Sequence, residues 1–191
     1  MYLFFDTETT GLPRNYQAPL DDFLNWPRLV QIAWSLYDDE GSHWESHSYI
    51  IKPNGFVISP EVAKIHRVSQ ERALQEGREL KEILELFSVA VQSASYLVAH
   101  NIDFDEKIVG AELLREKMEN NLIPANKICT MKTTVDFCKI PSVRGGYKWP
   151  NLTELYHCLF QNNFPEAHDA LVDVKACAEC FFELKRRGWY N

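Results

Sequence analysis

Residues 2–12 read YLFFDTETTGL. The first four are apolar without a break and end abruptly at Asp6, the pattern of a central strand buried on both faces. If the extended backbone continues past that point, Asp6 and Glu8 lie two residues apart and project from the same face. Two like charges then share one partly buried site, which without a cation raises a carboxyl pKa or costs stability. The other reading is that the strand stops at Asp6 and both acids are solvated ahead of a Thr-Thr-Gly turn. These eleven residues alone do not choose between the two.

Downstream, the segments from Leu29 to Tyr37 and from His43 to Lys52 are β-rich and are separated by Asp38-Asp-Glu-Gly-Ser42, a turn signal. With the first strand they make a three-stranded meander. Residues 61–68 and 79–93 read as helices, the second with Leu80, Ile83, Leu84, Phe87 and Val91 on one stripe. Tyr96 to Ala99 is a further short apolar strand, followed by a helix from about Phe104 to Met118. Ile128 to Met131 is a candidate fifth strand, Leu152 to Phe160 a short helix and Leu171 to Arg186 a long final one. Strands followed by strand–helix alternation give an α/β architecture, a mixed sheet with helices packed on it. Pro13 to Arg28 and Ser142 to Pro150 are loop-like and long enough to carry function.

Two more acids fall where acids are costly. Asp105 stands at the head of the stripe formed by Ile108, Val109 and Leu113, so its carboxylate turns toward the sheet. Capping of the helix is the ordinary alternative, although Asp103 or Glu106 can serve that end from the exposed face. In the last helix Asp173 shares a stripe with Cys177, Cys180 and Leu184, and no Lys or Arg lies on that stripe. A salt bridge from elsewhere in the chain is the alternative there. Inward carboxylates without evident cations imply a metal site, and all-oxygen ligation favours Mg2+ or Mn2+ over zinc. Four carboxylates suffice for two ions, the arrangement suited to in-line displacement at phosphorus. His168, in the loop ahead of an Asp169 N-cap, is placed to accept a proton near neutral pH.

The remaining composition narrows the setting. With 191 residues, of which 46% are hydrophobic and 13% aromatic, the chain can bury one substantial core, and one domain over 1–191 is expected. No stretch approaches the ~20 uncharged apolar residues of a membrane helix, and no signal peptide is evident, so a cytoplasmic protein is expected. Five cysteines fit reduced thiols, with Cys177 and Cys180 as core residues of one helix face. A net charge of −7 opposes phosphate binding, but two divalent cations offset more than half of it where a phosphate must sit. A small contact at a strand terminus is then feasible.

Taken in order and spacing, Phe5-Asp-Thr-Glu-Thr-Thr-Gly-Leu12, His100-Asn-x-x-Phe-Asp105 and His168-Asp-Ala-x-x-Asp173 resemble the three exonuclease motifs of the DEDD superfamily. The His five residues before the last Asp is similar to the DEDDh branch, and the likeness is greatest to the proofreading (epsilon) subunits of bacterial DNA polymerase III and their free-standing relatives. It runs from Tyr2 to about Arg187. The resemblance implies a ribonuclease H-like fold with a five-stranded mixed sheet flanked by helices. It implies a metal-dependent 3′-to-5′ exonuclease that releases mononucleotides from single-stranded DNA, with Asp6, Glu8, Asp105 and Asp173 as ligands of two ions and His168 as general base. Thr7, Thr9, Leu12, Ile65 and His66 are expected to contact the terminal nucleotide, Leu12 and Ile65 against its base, while Asn101 and Phe104 shape the pocket. Many relatives have Gly after that His, where this chain has Arg67. Polymerase-associated members carry a flexible tail, whereas this sequence ends at Asn191, just after the last helix; a DNA polymerase is a possible partner. The alternatives are an RNA-trimming enzyme resembling RNase T or oligoribonuclease, and a non-catalytic nucleic-acid-binding or polymerase accessory module.

Overall fold

The computed structural model describes residues 1–162 and 169–190. Its order is β1 (Tyr2–Thr9), β2 (Leu29–Tyr37), β3 (His43–Ile50), α1 (Pro60–His66), α2 (Gln70–Glu76), α3 (Leu80–Ser93), β4 (Tyr96–Ala99), α4 (Ile102–Arg115), β5 (Asn126–Cys129), α5 (Thr130–Thr133), α6 (Val135–Cys138), α7 (Leu152–Phe160) and α8 (Ala170–Arg186). The five strands form one mixed sheet in the order β3-β2-β1-β4-β5. β1, β2 and β3 pair antiparallel as the expected meander, while β4 and β5 run parallel to β1. Among the described residues, no helix is long and apolar enough to cross a membrane.

Alternation along β1 divides the core. Leu3 and Phe5 pack with Trp34, Leu97, the α3 stripe and Ile108, Val109 and Leu113 of α4. Phe4 faces the opposite way with Ala33 and Val98, against Val174, Cys177 and Phe181 of α8. Burying a side chain such as Phe87 or Phe181 contributes about 1.5–3 kcal/mol, so these two layers hold the sheet from both sides. Cys177 and Cys180 are buried in α8, as a core role requires.

Several boundaries differ from those read in the sequence, each for a physical reason. β1 runs on to Thr9 because β2 supplies partners that far, Asp6 opposite Ala33 and Glu8 opposite Gln31. The fifth strand begins at Asn126 and ends at Cys129, where Thr130 turns the chain into α5. α4 starts at Ile102, from an Asn101 held at φ 77°, a left-handed conformation Asn tolerates better than most residues. The short helices α2, α5 and α6 carry too few turns for a periodic signal.

The topology fixes where a site can form. β1 and β4 pair only from Tyr2–Tyr96 to Phe4–Val98, so β1 outruns its parallel neighbour at their shared carboxyl end. A crevice at the carboxyl ends of parallel strands is where α/β sheets bind ligands, and here its floor is the stretch that carries Asp6 and Glu8.

Candidate active site

Asp6, Thr7 and Glu8 extend from β1 into that crevice. Alternation turns Asp6 and Glu8 toward α8, whose first turn brings Asp173. One carboxylate oxygen from each of Asp6, Glu8 and Asp173 lies within 4.8 Å of the others, a grouping able to hold a metal ion. α8 begins at Asp169, whose side chain accepts from the N–H groups of Leu171 (3.0 Å) and Val172 (3.4 Å), and this cap sets the rotation that aims Asp173 inward.

Asp105 reaches the cluster from the other side of the sheet. It is 2% exposed in the first turn of α4, and its Oδ1 accepts from the Thr7 hydroxyl at 2.7 Å and the Thr7 N–H at 3.0 Å. Asp105 therefore stands beside the trio rather than within it. Thr7, expected among the nucleotide contacts, is instead buried and commits its hydroxyl to a carboxylate; the alternation that sends Asp6 and Glu8 one way sends Thr7 the other.

The electrostatics are those of a site built for positive charge. Asp6 is pushed well above the usual carboxylate range by burial first and then by Asp105, Glu8, Asp173 and Asp169. Glu8 rises to about 8, again through burial and then Asp173, Asp105 and Asp169. Burial lifts Asp105 to about 7, with the two Thr7 hydrogen bonds opposing and Asp173 adding to the rise. Among the described residues, Asp6, Glu8 and Asp105 form no ion pair. Acids on the outer face of α4 behave differently: Asp103 pairs with Lys132, and Glu106 with Lys127 at 2.7 Å. The donor set is all oxygen and needs cations, so the residues present fit hard divalent ions.

Around the acids, the expected nucleotide contacts divide by exposure. Leu12 is 74% and Ile65 53% exposed, so both present apolar surface to a ligand. Phe104 is half-buried, its ring 6.4 Å from that of Tyr16. Thr9 is buried and donates to Gly11 O at 2.6 Å, closing the turn after β1. His66 is 4% exposed, accepts at Nδ1 from Val68 N at 3.2 Å, and has its pKa lowered by burial, so its Nδ1 supports the end of α1, while its Nε2 has no hydrogen-bond partner among the described residues. Arg67 caps α1 at φ 61°, the left-handed conformation that Gly adopts at least cost. His168 lies outside the described residues. The sequence reading gave no role to His100, although it sits in the second motif. Its Nδ1 is 3.0 Å from Thr130 Oγ1 and its Nε2 3.0 Å from Pro150 O, and burial pulls its pKa down to about 4, so as a neutral ring beside Asn101 it joins the start of α5 to the loop ahead of α7.

Residues 3–181 match the Exonuclease family of the RNase T type. The chain belongs to the Exonuclease family. This exonuclease is 29% identical to the DNA polymerase III subunit epsilon of Treponema pallidum (strain Nichols), over 93% of the chain and 73% of that protein. It is 26% identical to the Ribonuclease T of Baumannia cicadellinicola subsp. Homalodisca coagulata, over 96% of the chain and 85% of that protein. In three dimensions it resembles E. coli Exonuclease I in complex with a dA16 oligonucleotide, with a TM-score of 0.74 and 17% identity. That likeness covers 97% of the exonuclease chain described here, which spans about two fifths of Exonuclease I (41%). The five-stranded sheet and flanking helices of this exonuclease are thus ribonuclease H-like, as expected, and the nuclease class read from the motifs is that of its family.

Proposed function

We propose that this exonuclease, acting as one domain across 1–191, removes mononucleotides from the 3′ ends of single-stranded DNA in the cytoplasm. The observation that carries the reading is the convergence of Asp6, Glu8 and Asp173 with the buried Asp105, three of them held at raised pKa by burial and by one another. A site of this kind needs cations, and a terminal phosphodiester is a substrate that brings its own negative charge to them.

The four carboxylates would hold two Mg2+ or Mn2+ ions, which supply Lewis-acid stabilisation of charge on the scissile phosphate and activation of water. Thr7 fixes the Asp105 carboxylate through two donors, so that its free oxygen keeps one direction. Leu12 and Ile65 offer the exposed apolar surface on which the last base can rest, and Asn101 and Phe104 border it. His168 takes the proton of the attacking water; this role rests on its place in the third motif, five residues before Asp173. The base of α4 and the end of β1 are core-packed, so the acids stand on rigid elements, as precise phosphoryl chemistry requires.

A second substrate reading is supported by the relatives themselves, since one is a polymerase subunit and another a Ribonuclease T. The two differ in how the site treats a single 2′-hydroxyl. A time course on 5′-labelled DNA and RNA oligonucleotides of one sequence, with Mg2+, Mn2+ or chelator, separates them. A ladder shortening from the 3′ end of DNA, dependent on metal, is expected; a faster ladder on RNA moves the assignment to RNA trimming. Internal products would overturn exonuclease action, and no metal-dependent products would favour a binding or polymerase accessory role.

A further inference from the structure

The segment between α6 and α7 combines cations with exposed rings and carries no acid. Residues 137–153 contain no Asp or Glu, in a protein with 27 such residues and a net charge of −7, yet include Lys139, Arg144 and Lys148. Interleaved with these cations are Tyr147 and Trp149, 48% and 62% exposed, and a fully solvated Val143. Leaving two large rings in water is unfavourable, and on this segment they lie two residues apart in the chain.

The segment is also a built structure. Pro141 and Tyr147 form an antiparallel bridge, Lys148 N donates to Ile140 O at 2.9 Å and Ser142 N to Gly146 O at 3.0 Å. Gly145 and Gly146 turn the chain at φ 88° and 69°, consecutive left-handed positions where a side chain would be strained. Lys148 is drawn back to Glu154 at the start of α7, at 2.5 Å, while Lys139 and Arg144 are exposed and, among the described residues, form no ion pair. The far end is tied to the candidate site. Pro150 O accepts from His100 Nε2, and His100 directly precedes Asn101, from which α4 and Asp105 begin. Trp149 is thus one residue from an anchor on the second motif.

We infer that the hairpin 139–149 is a landing surface for single-stranded nucleic acid, with Tyr147 and Trp149 stacking on bases upstream of the 3′ terminus and Lys139 and Arg144 meeting the backbone. The inference rests on the reading of the acid site as one that takes a 3′ end, and it adds where the rest of the strand runs. Aromatic rings interleaved with cations are a sequence-tolerant way to hold a single strand, since every base has a face to stack. The hairpin supplies local positive charge that the chain as a whole lacks.

The test compares a substrate that reaches the hairpin with one that cannot. Binding of fluorescein-labelled dT12 and dT3 is followed by anisotropy in Ca2+, and hydrolysis of the p-nitrophenyl ester of thymidine 5′-phosphate is followed in Mg2+. The double variant Tyr147→Ala/Trp149→Ala is expected to bind dT12 about tenfold more weakly, the low end of one stacked base, and to lose the gain in affinity between dT3 and dT12. Its ester hydrolysis should match the unmodified protein, and Trp149→Phe should bind dT12 nearly as the parent does. Unchanged dT12 binding in the double variant would overturn the proposal. So would equal losses on dT12 and on the ester, which would show the hairpin acting only through Pro150 and His100. If the unmodified protein fails to hydrolyse the ester, the nuclease reading falls, while the dT12 comparison still decides the hairpin.

Discussion

Helix α4 carries two buried acids, Asp105 and Glu112, two turns apart, and the protein treats them in opposite ways. Glu112 is fully buried, and its Oε1 accepts from Arg28 Nε and Leu29 N, both at 2.9 Å, with Arg115 in ionic contact at 3.2 Å. Asp105 receives the neutral hydroxyl and N–H of Thr7, and the charge that acts on it, Asp173, is negative. Glu112 has its charge balanced by two arginines, although its Oε2 has no hydrogen-bond partner among the described residues, and it ties the Arg28 end of the long loop to the helix. A carboxylate set among other carboxylates has its charge balanced only when a cation arrives. The contrast sets an acid whose charge the protein balances against one whose charge it leaves unbalanced, without appeal to any relative.

The largest effect should come from breaking the charge-balanced cluster. Glu112→Ala leaves two part-buried guanidinium groups without their anion and should cost about 3–5 kcal/mol of stability, read as a lower denaturation midpoint in urea, with the activity per folded molecule intact. The same kind of change at the other cluster should act the other way round. Asp6→Asn is expected to lower metal-dependent nucleotide release by more than about 100-fold, the upper range for disturbing even a secondary metal partner. In chelator, melting of that variant should come no earlier than that of the parent, because one of several repelling charges is gone.

pH distinguishes the clusters more gently. Glu8 and Asp105 have folded-state pKa values of about 8 and about 7, above those of the unfolded chain, so in the metal-free protein the folded state holds more protons between roughly pH 4 and pH 8. Stability should therefore be greatest at the acid end of that window and fall as pH rises through it. Saturating Mn2+ should flatten the slope, since the ligands are then ionised at every pH where metal stays bound. A metal-free stability that rises across the window would break the assignment. The smallest effect is expected of Thr7→Val, which keeps the N–H donor to Asp105 and removes the hydroxyl. A loss of about tenfold in activity, with an alkaline shift in its pH dependence, would mark Thr7 as a positioning residue.

The sequence made one half of this comparison legible. Asp105 and Asp173 could be read as inward because each sits on a helical stripe with apolar neighbours, and β1 could be read as buried because Tyr2 to Phe5 are apolar without interruption. Glu112 was missed although it shares the face of Ile108, Val109 and Leu113. A Glu beside Arg115 on a helix reads as a surface pair, and its other partner, Arg28, lies 84 residues away in a segment without periodicity. Thr7 is expected at the substrate from its place in the first motif; only the pairing of β1 with β2 and the packing of α4 show that its hydroxyl is committed to Asp105. The clamp made by His100 joins residues 30 and 50 positions apart, contacts no local pattern encodes.

Whether the acid cluster exists to hold cations can be decided by titrating Mn2+ into the metal-free protein near pH 7, in buffers of different ionisation enthalpy. Acids that hold protons at raised pKa must release them when cations bind. Two ions per chain are expected, with a net proton release evident from the buffer dependence, and with loss of this binding in Asp6→Asn but not in variants of the Glu112 cluster that fold. Binding without proton release, or binding unaltered in Asp6→Asn, would contradict that role for the cluster.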